Sequence, residues 1–171
     1  MKHFLSTCMV LALGCASAQM VSGGLIYSSV SNGDYSKGGF GANLNYTQTL
    51  TPEFSVRVGV DYTLLDKVDS VSMGHFNTHL DALYGITASS LNVYVGPSLG
   101  FAGFRADATS GTTSATASLD GYAVGGLAGV QYPISGQLNA FGEVYYNRIF
   151  MSSDVGSFNV IGTRLGVGYA F

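Results

Sequence analysis

From Phe54 to Leu64 the chain alternates: Phe54, Val56, Val58, Val60, Tyr62 and Leu64 fall on one face, and Ser55, Arg57, Gly59, Asp61 and Thr63 on the other. A period of two is the signature of a β-strand with one apolar and one polar face. The end of the chain repeats it, with Ile161, Thr163, Leu165, Val167, Tyr169 and Phe171 opposed to Val160, Gly162, Arg164, Gly166, Gly168 and Ala170. Following this periodicity predicts eight strands, near 20–30, 38–50, 54–65, 75–88, 91–104, 118–132, 137–150 and 158–171. Tight turns are expected at 51–53, 89–90 and 133–136, and longer loops at 31–37, 66–74, 105–117 and 151–157. Short and long connections alternate, so they gather at opposite ends. Asn32-Gly33-Asp34, Ser110-Gly111 and Ser135-Gly136 carry turn chemistry.

The faces say which solvent each side meets. Phe40, Leu44, Tyr46, Phe76, Leu80, Tyr84, Ile86, Val93, Val95, Tyr122, Val124, Val130, Val144 and Tyr146 share the apolar side. Asn43, Asn45, Thr47, His75, Asn77, Asn92, Ser98, Gln131 and Asn147 share the polar side, with many glycines between them. Strands of this length exceed the roughly 9 to 11 residues that cross a bilayer when tilted. A strand with lipid outside must belong to a closed sheet that pairs every backbone group. The expectation is an all-β, eight-stranded antiparallel up-and-down transmembrane β-barrel, with short periplasmic turns and longer extracellular loops. A soluble, lipocalin-like barrel would need a charged outside, which the Asn, Thr and Gly of the second face do not supply.

Composition sharpens this picture. Of 171 residues, 47% are hydrophobic and only 10% charged, with 24 Gly, 11 Tyr, 10 Phe and no Trp, whereas a soluble domain carries about 25% charged residues. Net charge is −3 and the seven Lys and Arg are scattered singly. No basic stripe tracks a phosphate backbone, so nucleic acid is not expected as a partner. Beyond the first residues no apolar run is long enough for a membrane helix. The start reads as a secretory signal peptide: Lys2 and His3, an apolar run from Met9 to Leu13, then small residues ending Ala16-Ser17-Ala18. The expected division is residues 1–18 as leader and 19–171 as barrel, with lipoprotein processing at Cys15 as the rival. Cleavage after Ala18 would remove Cys8 and Cys15 together, leaving no thiol for a disulfide or zinc site.

With leader, alternation, connection asymmetry and the closing Leu165-Gly-Val-Gly-Tyr169-Ala-Phe171 together, the chain resembles the small eight-stranded outer-membrane barrels of the OmpA transmembrane domain and OmpX type. The resemblance spans essentially the whole mature sequence. It implies a Gram-negative outer-membrane location and an assembly signal in the final strand, for which Leu165, Val167, Tyr169 and Phe171 fit, read by the barrel-assembly machinery. No periplasmic domain is expected after Phe171. Pro97 disagrees with the scheme, because it removes a ladder donor in mid-strand; a bulge beside Gly96 is expected there.

Eight strands leave an interior just wide enough to be filled by side chains or to hold one small ligand. An interior polar network is expected from Arg57, Asp61, His79, Asp81, Glu143 and Arg164. Hairpin symmetry about Ser70 sets Asp61 opposite His79, and symmetry near Asp154 sets Glu143 level with Arg164. No metal site is expected, since His75 and His79 sit about 13 Å apart along a strand. Ser98, His79 and Asp61 or Asp81 could imitate a hydrolase triad, but no nucleophile elbow surrounds any Ser. Neither a reaction nor a cofactor is expected. Tyr27, Tyr46, Tyr62, Tyr84, Tyr122, Tyr132, Tyr146 and Tyr169 suit aromatic girdles.

At the long-loop end, 106–118 is rich in Ala, Thr and Ser and reads as a mobile tip. Lys37, Lys67, Arg105 and Arg148 gather there, where lipopolysaccharide phosphates would lie. The function expected is a monomeric envelope-structural or surface-interaction protein, adhesion-like, meeting outer-membrane lipid and an extracellular ligand or host surface through its loops. The alternative is a narrow channel or small-ligand conduit through the glycine-rich lumen, and a lipid A-modifying enzyme is third.

Overall fold

The alternation resolves into β1 (Gln19–Asn32), β2 (Tyr35–Thr49), β3 (Phe54–Val68), β4 (Val71–Ala88), β5 (Leu91–Ser110), β6 (Thr113–Ser135), β7 (Leu138–Met151) and β8 (Ser157–Ala170) in a computed structural model. Residues 18–33, 35–68, 71–110, 113–152 and 156–171 are described. The expected leader, up to Ser17, and both cysteines lie outside them. Each strand pairs antiparallel with the next, and β1 pairs with β8, so the sheet is a closed barrel.

Closure fixes the tilt. Following paired residues from Val21 through Tyr46, Val58, Leu80, Leu99, Val124, Arg148 and Asn159 returns to β1 at Ser31, ten residues further along. That climb of ~33 Å over eight strand spacings of ~4.8 Å tilts the strands about 40°. The 14-residue strands β1, β7 and β8 then rise about 35 Å, enough for the ~25 Å apolar band of an outer-membrane barrel. Leu25, at 74% exposure, and Phe40, at 71%, belong to an unbroken outward apolar face that a water-soluble protein would not carry.

The loop end differs from the sequence expectation in form. β5 has 20 residues and β6 has 23, so most of the segment expected as a loose tip is a paired hairpin, from Phe104↔Leu119 to Ser110↔Thr113. Ala115, Thr116, Ala117 and Ser118 are exposed on both faces, so no alternation of hydrophobicity marks the strand. β3 and β4 also extend, pairing Leu65 with Met73 and Val68 with Val71 across a register shift. At the other end the last tight turn lies at Gly136-Gln137 rather than 133–136. Gly136 takes the left-handed φ of 51° that the two-residue connection needs, and a register shift follows Pro133.

The bulge expected at Pro97 is absent. Register runs unchanged from Asp81↔Ser98 to Tyr84↔Val95, with Ala82 and Leu83 unpaired on the β4 side and β6 paired throughout. Proline offers no N–H, and the wall absorbs this by skipping two links rather than bending.

Candidate functional site: the barrel interior

Because β3, β4, β7 and β8 alternate in step, Arg57, Asp61, His79, Asp81, Glu143 and Arg164 all point into the lumen, each at most 4% exposed. They form a ring. Arg57 Nε donates to Asp81 Oδ2 at 2.7 Å; His79 Nδ1 lies 3.0 Å from the same oxygen, and its Nε2 lies 3.6 Å from Asp61 Oδ1. Arg164 Nη2 donates to Asp61 Oδ2 at 2.5 Å and its Nη1 to Glu143 Oε2 at 3.0 Å. Arg57 closes the circle, pairing through Nη1 with Glu143 Oε1 and donating from Nη2 to Oε2 at 3.3 Å. The contacts between Arg57 and Glu143 and between Arg164 and Asp61 cross the lumen, joining walls that share no ladder. Buried charges are tolerable only when paired and hydrogen-bonded in this way.

Glu143 and Arg164 are direct register partners. Asp61, however, pairs with Asn77, and His79 sits opposite Gly59, while Arg57 pairs with Asp81. The expected Asp61–His79 alignment is therefore off by two residues along the strand. The two still meet because Gly59 has no side chain: a Cβ there would stand 2.6 Å from His79 Nε2.

Two further members escape a search for charges. Tyr94 OH donates to Glu143 Oε1 at 2.7 Å, and the Arg164 guanidinium lies 4.2 Å from the Tyr145 ring centre. Both were legible by parity: Tyr94 falls between the inward Asn92 and Gly96, and Tyr145 between Glu143 and Asn147. Their rings lie across Gly129 and Gly162 and fill the space those residues leave.

The interior is not polar throughout. Toward the loop end Val30, Leu65, Phe104, Ile149 and Val160 are buried as an apolar plug, with Met73, Met151 and Phe158 packed against it. The Phe104 ring stands 5.0 Å from both His75 and Phe158. Between ring and plug, polar side-chain atoms of Asn43, Asn77 and Asn147 and both nitrogens of His75 are buried with no hydrogen-bond partner among the described residues. At the opposite end a cavity of about 170 Å³ opens among Gln19, Thr47, Thr49, Ser55, Asn92 and Gln131, with Arg57 and Tyr94 also lining it.

The other residues singled out by sequence lie elsewhere. Ser98 is buried and pairs in register with Asp81, but His79 is engaged by Asp81 and Asp61. Leu165, Val167, Tyr169 and Phe171 face outward, 48–66% exposed, along the β1–β8 seam. There the Phe171 N–H donates to Gln19 O at 2.9 Å. Arg105 and Arg148 are exposed at the loop end; Arg105 Nε pairs with Asp107 Oδ2 at 3.2 Å, and Arg148 Nη2 donates to Ser157 Oγ at 3.1 Å. The Lys67 side chain lies outside the described set.

Residues 52–171 match the family model for the Opacity family porin protein. Among solved structures, neisserial surface protein A (NspA) superimposes with a TM-score of 0.76 at 18% identity, over 90% of this chain and 99% of that one. Ail, the attachment invasion locus protein of Yersinia pestis, in complex with the heparin analogue sucrose octasulfate, gives 0.65 at 21% identity, over 92% and 100%. The outer membrane protein OprG of Pseudomonas aeruginosa gives 0.62 at 14% identity, over 91% and 96%. No curated protein matches the chain.

Proposed function

The chain belongs to the Opacity family of porin proteins and is a barrel of the Gram-negative outer membrane, and from that premise we propose that it is a closed, non-conducting surface-interaction protein. One observation carries this: the ring from Arg57 to Arg164, with Tyr94 and Tyr145, spans the lumen from wall to wall. An ion crossing would have to break several charge-assisted hydrogen bonds at once and then pass the apolar plug. The barrel thus serves as a scaffold for the hairpins that stand above the lipid. Binding is typically placed on connections held by a rigid frame.

No reaction is assigned. His79, the natural general base, faces a carboxylate at each nitrogen, and this arrangement ties its ring into the network rather than presenting it to a substrate. Lipid is the constant partner of the outward face. Arg105 and Arg148, together with Lys37, suit phosphate or sulfate groups at the outer surface, and the final strand supports recognition by the assembly machinery during insertion. The barrel is taken to act as a monomer.

A channel is the second reading, favoured by the cavity at the periplasmic end. Reconstituted liposomes separate the two. The closed reading expects no swelling in small sugars, together with loss of surface attachment by cells whose 105–118 hairpin is shortened. Swelling by the unaltered protein, or attachment that survives the shortening, would overturn it.

A further inference from the structure

We propose that the loop end of the lumen holds a binding site for a soft monovalent metal ion of the Cu(I) class, ligated by His75 with Met73 and Met151. Such a site lies beyond the surface-interaction reading and stands whatever the loops bind. His75 is 3% exposed, and neither of its ring nitrogens has a hydrogen-bond partner among the described residues. A neutral imidazole carries one N–H donor and one lone pair, and burying both unanswered is costly. Its ring leans on Phe104, which in turn meets Phe158, so three rings cross the lumen from β4 to the opposite strand β8. Neither phenyl ring supplies a donor or an acceptor for the imidazole nitrogens.

Two thioethers stand over this bridge. Met73 shares the inward face of β4 with His75, two residues nearer the loops. Their backbones are about 6.6 Å apart, a distance that one ion spans, unlike the roughly 13 Å between His75 and His79. Met151 enters from the other wall. The ladder runs from Met73 to Ala106 and Ala117, and Gly121, the partner of Met151, lies four residues back toward the periplasm on β6. A row of partners climbs ten residues over eight strands, hence about 3.75 over the three steps from β4 to β7. The two displacements cancel. Met73 and Met151 are therefore level, and both pack against the cluster that contains Phe104.

The donor set selects the ion. Thioether sulfur is a soft donor that selects Cu(I), and imidazole suits copper as well. A divalent ion would bring charge that nothing in this layer balances, because the buried acidic side chains among the described residues, Asp61, Asp81 and Glu143, all belong to the ring. A single charge is less costly to seat in apolar surroundings. Asn77, two residues below His75 on the same face, has a buried Oδ1 without a partner. An imidazole that turns its N–H to that oxygen presents its lone pair toward Met73. Met73 and Met151 are only partly buried, so an ion reaches them from the loop end without passing the ring. Thioethers also fill gaps beside aromatic rings, but packing alone does not answer the two nitrogens of His75.

The probe is Cu(I), held reduced by ascorbate without oxygen and supplied as its bicinchoninate complex, so that capture is read as loss of the complex's colour. The protein is the full chain in phosphatidylcholine nanodiscs, carrying Cys8→Ser and Cys15→Ser so that no thiol competes. We expect one ion per barrel, no comparable uptake of Zn(II), and an X-ray absorption spectrum with both sulfur and nitrogen donors. Met73→Leu, Met151→Leu and His75→Phe suit an apolar layer, and heat-modifiable gel mobility verifies that the barrel is intact. Met73→Leu and His75→Phe should each weaken capture by at least about tenfold, the loss that follows removal of even an outer-sphere partner. Met151→Leu should weaken it less, and Met20→Leu, beside Gln131 at the periplasmic end, should leave it unchanged. No uptake, Zn(II) held as tightly as Cu(I), a spectrum without sulfur, or capture that survives both Met73→Leu and His75→Phe would overturn the proposal. The first three of these are read on barrels whose ligands are unaltered, so they decide the matter even where a variant does not fold.

Discussion

Replacing Arg164 by Met keeps most of the side-chain volume and removes the cation that holds two carboxylates, Glu143 and Asp61, from opposite sides of the lumen. The ring contains two guanidinium groups and three carboxylates apart from His79. Arg164→Met leaves one cation against three anions in a site 1% exposed, and removing one partner of a buried pair costs about 3 to 5 kcal/mol. Glu143→Gln moves the count the other way, to two against two. Arg57 retains Asp81 and Arg164 retains Asp61, so the loss is confined to weakened hydrogen bonds, about 1 to 3 kcal/mol. The two variants should therefore differ although they break the same contact. If Glu143 and Arg164 formed an isolated pair, the double variant Glu143→Gln with Arg164→Gln would recover wild-type stability. In a ring it recovers only part, because Asp61 remains without its guanidinium. The assay is urea unfolding in lipid vesicles, read from the fraction of protein with folded gel mobility. Full recovery in the double variant, or a larger loss for Glu143→Gln than for Arg164→Met, would refute the ring and restore the pair.

Three further outcomes are expected. A Cβ at Gly41 would stand 1.8 Å from the Tyr62 carbonyl oxygen, whereas one at Gly126 meets nothing nearer than 3.2 Å; Gly41→Ala should sharply lower folding yield in vesicles and Gly126→Ala should not. Deleting Phe171 removes the backbone links to Gln19 that close the β1–β8 seam, and should lower outer-membrane levels more than Gly168→Ala, measured by surface labelling. The Thr116 hydroxyl and then the Arg105 guanidinium hold the Asp107 carboxyl below its ordinary value. Their stabilisation of the hairpin is complete above the ordinary carboxylate range and disappears as pH falls through the lowered value. The amide-exchange protection factor near Thr116, taken against the intrinsic rate at each pH, should fall over that descent, and Thr116→Val should flatten the response.

Alternation reports which face a side chain takes, and so the inward set from Arg57 to Arg164 was legible. It does not report register, which is fixed by turn geometry. Val68 pairs with Val71, one residue away from symmetry about Ser70, and the shift between Leu65 and Val68 adds one more, so Asp61 meets Asn77 rather than His79. Contacts across the lumen were beyond reach for another reason: Arg57 and Glu143 are far apart in sequence and share no hairpin, and only closure brings them together. The apolar plug was hidden because Ile149 and Val160 lie on strands whose outer faces are apolar too. Two-sided hydrophobicity erases the signal there, just as two-sided exposure erases it from Ala115 to Ser118.

The most direct test of the closed barrel is the single-channel current of the purified, unaltered protein in a planar bilayer, with Arg164→Met recorded beside it. The closed barrel predicts a silent baseline for the unaltered protein at moderate voltage, and for Arg164→Met as well, because the apolar plug remains when the ring is broken. Stable open steps from the unaltered protein would contradict it.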